Sequence, residues 1–84
     1  MTNMELIMIA RLEAGIPEDV EVASMKEWNR RGKKVRQGET AVFKTRIWVP
    51  KTKAEIDKEI EEDRYNGNRF KFPMTGFFTE SQVV

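Results

Sequence analysis

The residues best suited to chemistry in this chain are cations and tryptophans set close together. Between positions 26 and 50 stand Lys26, Arg30, Arg31, Lys33, Lys34, Arg36, Lys44 and Arg46, against only Glu27 and Glu39. Trp28 and Trp48 are interleaved with them. Cationic side chains neutralise phosphate, and an aromatic ring on the same surface stacks a base. Stacking is worth about 1–3 kcal/mol per base and tolerates any sequence. The pattern therefore suggests non-covalent binding of single-stranded nucleic acid. The expected phosphate contacts are Arg30, Arg31, Lys33, Lys34 and Arg36. Lys44, Arg46 and Lys71 would line a sheet face, and Trp48 would stack. Arg46 and Trp48 are two apart, hence on one face of a strand. Each feature also has a plainer use. The run RRGKKVR suits a solvated turn, and Trp28 suits a core anchor for a short helix.

Reactive chemistry is thin elsewhere. The chain has no histidine and no cysteine. That removes the commonest general base, the Ser/His and Cys/His dyads, disulfides and cysteine zinc sites. Ser24 and Ser81 read as capping or turn residues. Asp57 and Glu61 are spaced i, i+4, but such pairs are common on charged helices, and Lys58 and Arg64 lie among them. No P-loop, dinucleotide-binding or H-E-x-x-H pattern is present. The expectation is a non-enzymatic protein with no catalytic residue, no metal and no cofactor.

Eighty-four residues make one small domain, 1–84, with a narrow stability margin. A 39% hydrophobic fraction with 10% aromatics is enough for a core and too much for a disordered tail. No apolar run approaches the roughly 18–20 residues that span a membrane. The N-terminus has no early cation, and Glu5 precedes its apolar stretch, so it does not read as a signal peptide. A cytoplasmic location without membrane contact is expected. The net charge of +1 is an average over unlike parts. Residues 1–25 carry −4, residues 26–50 carry +6, residues 51–64 carry −2, and residues 65–84 carry +1.

The elements that must position the cations can be read from caps and breakers. Thr2 and Glu5 form a capping box, followed by the stripe Leu6, Met8, Ile9, Ala10 and Leu12, and Gly15–Ile16–Pro17 stops the helix. Pro17 to Ser24 reads as a linker with at most a short strand. Ser24 and Glu27 suggest a second box, and Gly32 ends a helix of about two turns whose Met25 and Trp28 must dock. Ala41 to Val49 reads as a strand ended by Pro50. Its faces are Ala41, Phe43, Thr45, Ile47, Val49 and Val42, Lys44, Arg46, Trp48. Residues 51–64 read as a charged insertion, helical or mobile, with a third box at Thr52 and Glu55 and with Ile56 and Ile60 at i, i+4. Tyr65 to Asn68 signals a turn. Arg69 to Thr79 reads as a second strand, at a sheet edge because Pro73 and Gly76 interrupt it. Its phenylalanines are read as core, with one of Phe77 and Phe78 left exposed by strand alternation. The predicted class is α+β: two short helices on a small two- to three-stranded antiparallel sheet.

The stretch from Met25 to Val49 resembles the N-terminal single-stranded-DNA-binding domain of ArdC-type antirestriction proteins. The residues that carry the likeness are Trp28, Gly32, Val35, Arg36, Gly38, Glu39 and Ala41, as W-x-x-x-G followed by V-(K/R)-x-G-E-x-A. A second block, Phe77 and Phe78 followed by Gln82, resembles the family's (V/F)-F-x-x-x-Q element. Together the blocks cover about half the chain. The resemblance implies helices packed on a short antiparallel sheet, single-stranded DNA as partner, and a phage or other mobile element as setting. Some relatives carry a metallopeptidase-like domain with H-E-x-x-H, which a chain without histidine does not contain. A rival reading gives the same scaffold a protein partner, a host defence effector such as a CRISPR nuclease or restriction subunit, inhibited by direct contact.

Overall fold

The computed structural model describes residues 1–84. Helix α1 spans Asn3–Glu13. Its capping box forms: Thr2 Oγ1 accepts from the Glu5 N–H, and Glu5 accepts from the Thr2 N–H, both at 3.2 Å. Gly15 then takes the left-handed conformation at φ 72° and ends the helix. Strand β1 is Val22–Ser24, followed without a break by helix α2, Met25–Arg30. Ser24 caps α2 through its hydroxyl, but only half of the expected box forms, because the Glu27 side chain turns to Arg30 and Arg31. Strands β2 (Phe43–Arg46) and β3 (Val49–Pro50) precede helix α3, Lys53–Glu61. Strands β4 (Phe70–Lys71) and β5 (Met74–Thr79) follow, with a 3-10 turn at Glu80–Gln82. The fold is α+β, and the charged insertion is an ordered helix with its capping box formed.

The main sheet is antiparallel with order β1-β5-β2. Strand β5 is therefore central, which corrects the edge expected from Pro73 and Gly76. Pro73 lies just before β5, so its missing N–H interrupts the ladder instead of demoting the strand. Gly76 sits inside β5 because Ala41 packs there: a Cβ at position 76 would come within 3.0 Å of the Ala41 Cβ. The segment before α2 carries the short strand its sequence allows, and β1 forms the sheet's third strand.

Each expected long strand is broken once, at the same level. The Ile47 N–H donates to the Pro73 carbonyl at 3.3 Å, but proline has no N–H to return the bond. Beyond the gap β3 and β4 pair in an unchanged register. Phe43 faces Phe77 and Val49 faces Lys71, so equal numbers of residues run along both strands and no bulge intervenes. The result is one ribbon with a proline gap, closed at its far end by α3 and the Asn66–Asn68 turn. That turn is built as the sequence signals: Gly67 has φ 90°, and the Asn66 side chain accepts from the Asn68 N–H.

The core is small. Trp28, Ala23, Phe78 and Val83 cluster, with Val35 and Ala41 packed against them. Phe77 is also buried, and it stacks on Phe43 with ring centroids 5.0 Å apart. Phe77 and Phe78 point to opposite sides of β5, so neither is exposed as alternation alone suggested. Helix α2 covers the Phe78 face, and α1 packs on β2. Met25 does not dock with Trp28; it is half exposed. The radius of gyration is 15.1 Å, against about 12 Å for a compact chain of this length, because the ribbon projects from the core. No helix is long and apolar enough to cross a membrane.

Candidate nucleic-acid interface

The cations expected to bind phosphate divide into three groups. The first surrounds the end of α2. Glu27 is held between Arg30 and Arg31, and Arg31 also reaches Glu21 and lies over the Trp28 ring. Lys33 faces Glu80 at 3.7 Å. Arg36 pairs with Glu39 and donates to the Ser81 carbonyl. The hydrogen bond from Arg30, reinforced by Arg31, lowers the Glu27 carboxyl to about pH 2. Lys34 alone in this group has no carboxylate partner, and its backbone exchanges hydrogen bonds with Val84. The basic run is therefore largely neutralised, by Glu27 and Glu39 within the block and by Glu21 and Glu80 from outside it. Exposed pairs of this kind are worth only about 0–1 kcal/mol, so incoming phosphate can replace them at low cost.

The motif residues in this region tie the middle of the chain to its C-terminal stretch. The Trp28 indole N–H donates to the Phe78 carbonyl at 3.0 Å, and Val35 bridges Val83. The Gln82 side chain donates to Glu39 and to the Thr40 carbonyl, while its oxygen accepts from the Thr79 N–H. Trp28, Arg36, Glu39, Phe78 and Gln82 thus build the scaffold from two distant stretches of sequence.

The second group lies in an open hollow of about 710 Å³ between the start of α2 and the ribbon. Lys26, Lys44 and Lys71 stand around it, and Met25, Ile47, Val49 and Met74 provide its apolar surface. Glu39 also lines it, already engaged by Arg36 and Gln82. Lys71 is held by Glu55 of α3 at 2.7 Å; that bond and the Thr52 backbone lower the Glu55 carboxyl to about pH 2. Nearby, Lys51 and Glu59 form a second pair between ribbon and α3 at 2.9 Å. Lys26 and Lys44 make no ion pair within the chain. Lys26 was not singled out by the sequence. The available signal was its place at the start of the basic block, in the first turn of α2.

The third group is Arg46 and Trp48. They do not share the hollow with Lys44. Ile47, Val49, Lys71 and Pro73 line it, so the residues alternating with them, Trp48 and Phe72, point away. Trp48 is 46% exposed and stacks on Phe72 with centroids 4.3 Å apart. Arg46 donates to the Phe72 carbonyl at 3.0 Å, so Arg46 and Trp48 converge on one residue from strand and ring. Asn3 of α1 holds the Trp48 backbone from the other side. Its side-chain amide donates to the Trp48 carbonyl at 2.9 Å and accepts from the Trp48 N–H at 2.7 Å. Phe70 is half exposed on the same ribbon. The structure contains no cluster of carboxylates suited to a metal ion.

No family model, curated protein or solved structure matches this chain.

Proposed function

We propose that the chain is a non-catalytic module that binds single-stranded DNA with little sequence preference. The observation that carries this reading is the hollow, where Lys26 and Lys44 lack carboxylate partners and stand over an apolar surface. Ammonium groups there meet phosphates while Met25, Met74 and Ile47 meet the faces of bases, which are apolar enough to leave water. Lys71 joins by giving up Glu55. Trp48, on the ribbon's other side, offers a stacking surface to a strand that passes the ribbon edge. The resemblance to the ArdC-type domain supports the same partner. It also supports a setting in the bacterial cytoplasm, on a phage or mobile element evading host defence.

The test is a fluorescence titration of labelled single- and double-stranded oligonucleotides at two salt concentrations. Single strands bind more tightly, and affinity falls with salt at a logarithmic slope of about −0.7 per phosphate contact. Lys26→Glu with Lys44→Glu weakens binding and lessens the slope by about 1.4, the share of two contacts. Equal affinity at both salt concentrations, or no binding, overturns the reading.

A further inference from the structure

Helix α1 presents an apolar face to solvent. Met4, Met8 and Leu12 follow one another at i, i+4 and are 76%, 54% and 67% exposed, and no residue of α1 is fully buried. Its inner side is committed. Asn3 clamps the Trp48 backbone, and the Arg11 guanidinium donates to the Pro17 and Val20 carbonyls. The outer side therefore combines an apolar stripe with Glu5 and Glu13, and the helix's one cation, Arg11, is turned inward. An exposed stripe of this kind marks an interaction surface.

The hollow has the complementary character: an apolar surface bordered by the unpaired Lys26 and Lys44. We propose that the chain associates with itself head to tail, the outer face of α1 in one copy lying in the hollow of the next. Both terms of recognition agree, methionine and leucine against an apolar floor and carboxylates against free ammonium groups. The occupant is a second copy because α1 cannot reach its own hollow while Asn3 and Arg11 hold it on the other side. Donor and acceptor surfaces differ, so every copy carries one of each and the contact is heterologous. The inference stands apart from DNA binding, yet the two compete for one hollow.

Sedimentation of the full chain over a range of concentrations and two salt concentrations tests this. Association rises with concentration and weakens with salt. Met8→Asp spoils the donor face and Lys44→Glu spoils the acceptor, each weakening self-association by about tenfold or more. An equimolar mixture of the two variants forms dimers that grow no further, because one intact donor and one intact acceptor remain. Circular dichroism confirms that both variants fold. A chain that stays monomeric at every concentration overturns the proposal, as it does if a different protein is what covers α1. So does association that survives Lys44→Glu, which would mean that α1 faces pair with each other, or a variant mixture that stays monomeric. Association without oligonucleotide binding leaves this proposal standing and removes the DNA-binding reading; oligonucleotide binding by a strict monomer does the reverse.

Discussion

Trp28 is 2% exposed and gives its indole N–H to the Phe78 carbonyl; Trp48 is 46% exposed, its backbone clamped by Asn3 and one face of its ring covered by Phe72. The regions around them differ in the same way. Around Trp28, two chain segments are joined by buried rings, a β-bridge and the Gln82 side chain. Around Trp48, the ribbon is held by a stacked pair, an asparagine clamp and ion pairs to α3. One region spends its aromatic residues on stability. The other leaves them at the surface, where binding can use them.

The strongest way to break this contrast is to truncate each tryptophan. Trp28→Ala should cost about 3–5 kcal/mol, the usual loss for a buried tryptophan. That is a large share of the roughly 4–13 kcal/mol a domain of this length carries. Trp48→Ala should cost about 0.5–1.5 kcal/mol, the stacking with Phe72. Urea denaturation of both variants checks the ratio, and equal losses would erase the distinction between the regions.

Gly76→Val comes next. Its new methyls meet Ala41 at the centre of the sheet, and overpacking there should cost about 1–3 kcal/mol by the same measurement. Asn3→Ala sharpens the comparison from the ribbon's side. It removes two hydrogen bonds to one backbone position, and the net loss should be about 1–3 kcal/mol. Trp48 fluorescence, measured in a Trp28→Phe background, should shift while the circular dichroism spectrum keeps its form.

The smallest effect is with acid. Glu27 in the core region and Glu55 beside the ribbon are both lowered from 4.5 to about 2. A carboxyl lowered in the folded state contributes stability above its unfolded value and loses it as pH falls. Both contributions are therefore complete above about pH 4.5 and fade towards pH 2. Glu55→Gln should flatten the fall of the melting temperature in that window, and Glu27→Gln should do the same. Each pair is about a third or more exposed, so water screens it and both effects are small.

Much of this architecture was legible locally. The boxes at Thr2 and Thr52 formed as their spacing implied, and Gly15, Gly32 and Gly67 all adopt positive φ where turns require it. What the sequence concealed is long-range. Pro73 looked like an edge signal because its missing N–H was assigned to a strand, whereas it falls in the gap between two. Phe77 and Phe78 looked like one core and one surface ring because coverage of both sheet faces is not a property of the strand. The cation groups were hidden for the same reason. Glu21, Glu80 and Glu55 reach Arg31, Lys33 and Lys71 from other elements, so counting charge along the chain could not show which cations stay free.

The ribbon's unbroken register has a consequence for how this protein can vary. Strand alignment beyond the gap is already fixed by β2 and β5, so the segment between Lys51 and Arg69 need only bring its two ends together. Their backbones meet directly, the Lys51 N–H donating to the Arg69 carbonyl at 2.8 Å. Loop closure depends only weakly on length, about 0.6 kcal/mol for each doubling. The α3 excursion is thus an exchange port: a tight turn, a peptide epitope or a reporter domain could be spliced there and leave the tryptophan core unaware of the change.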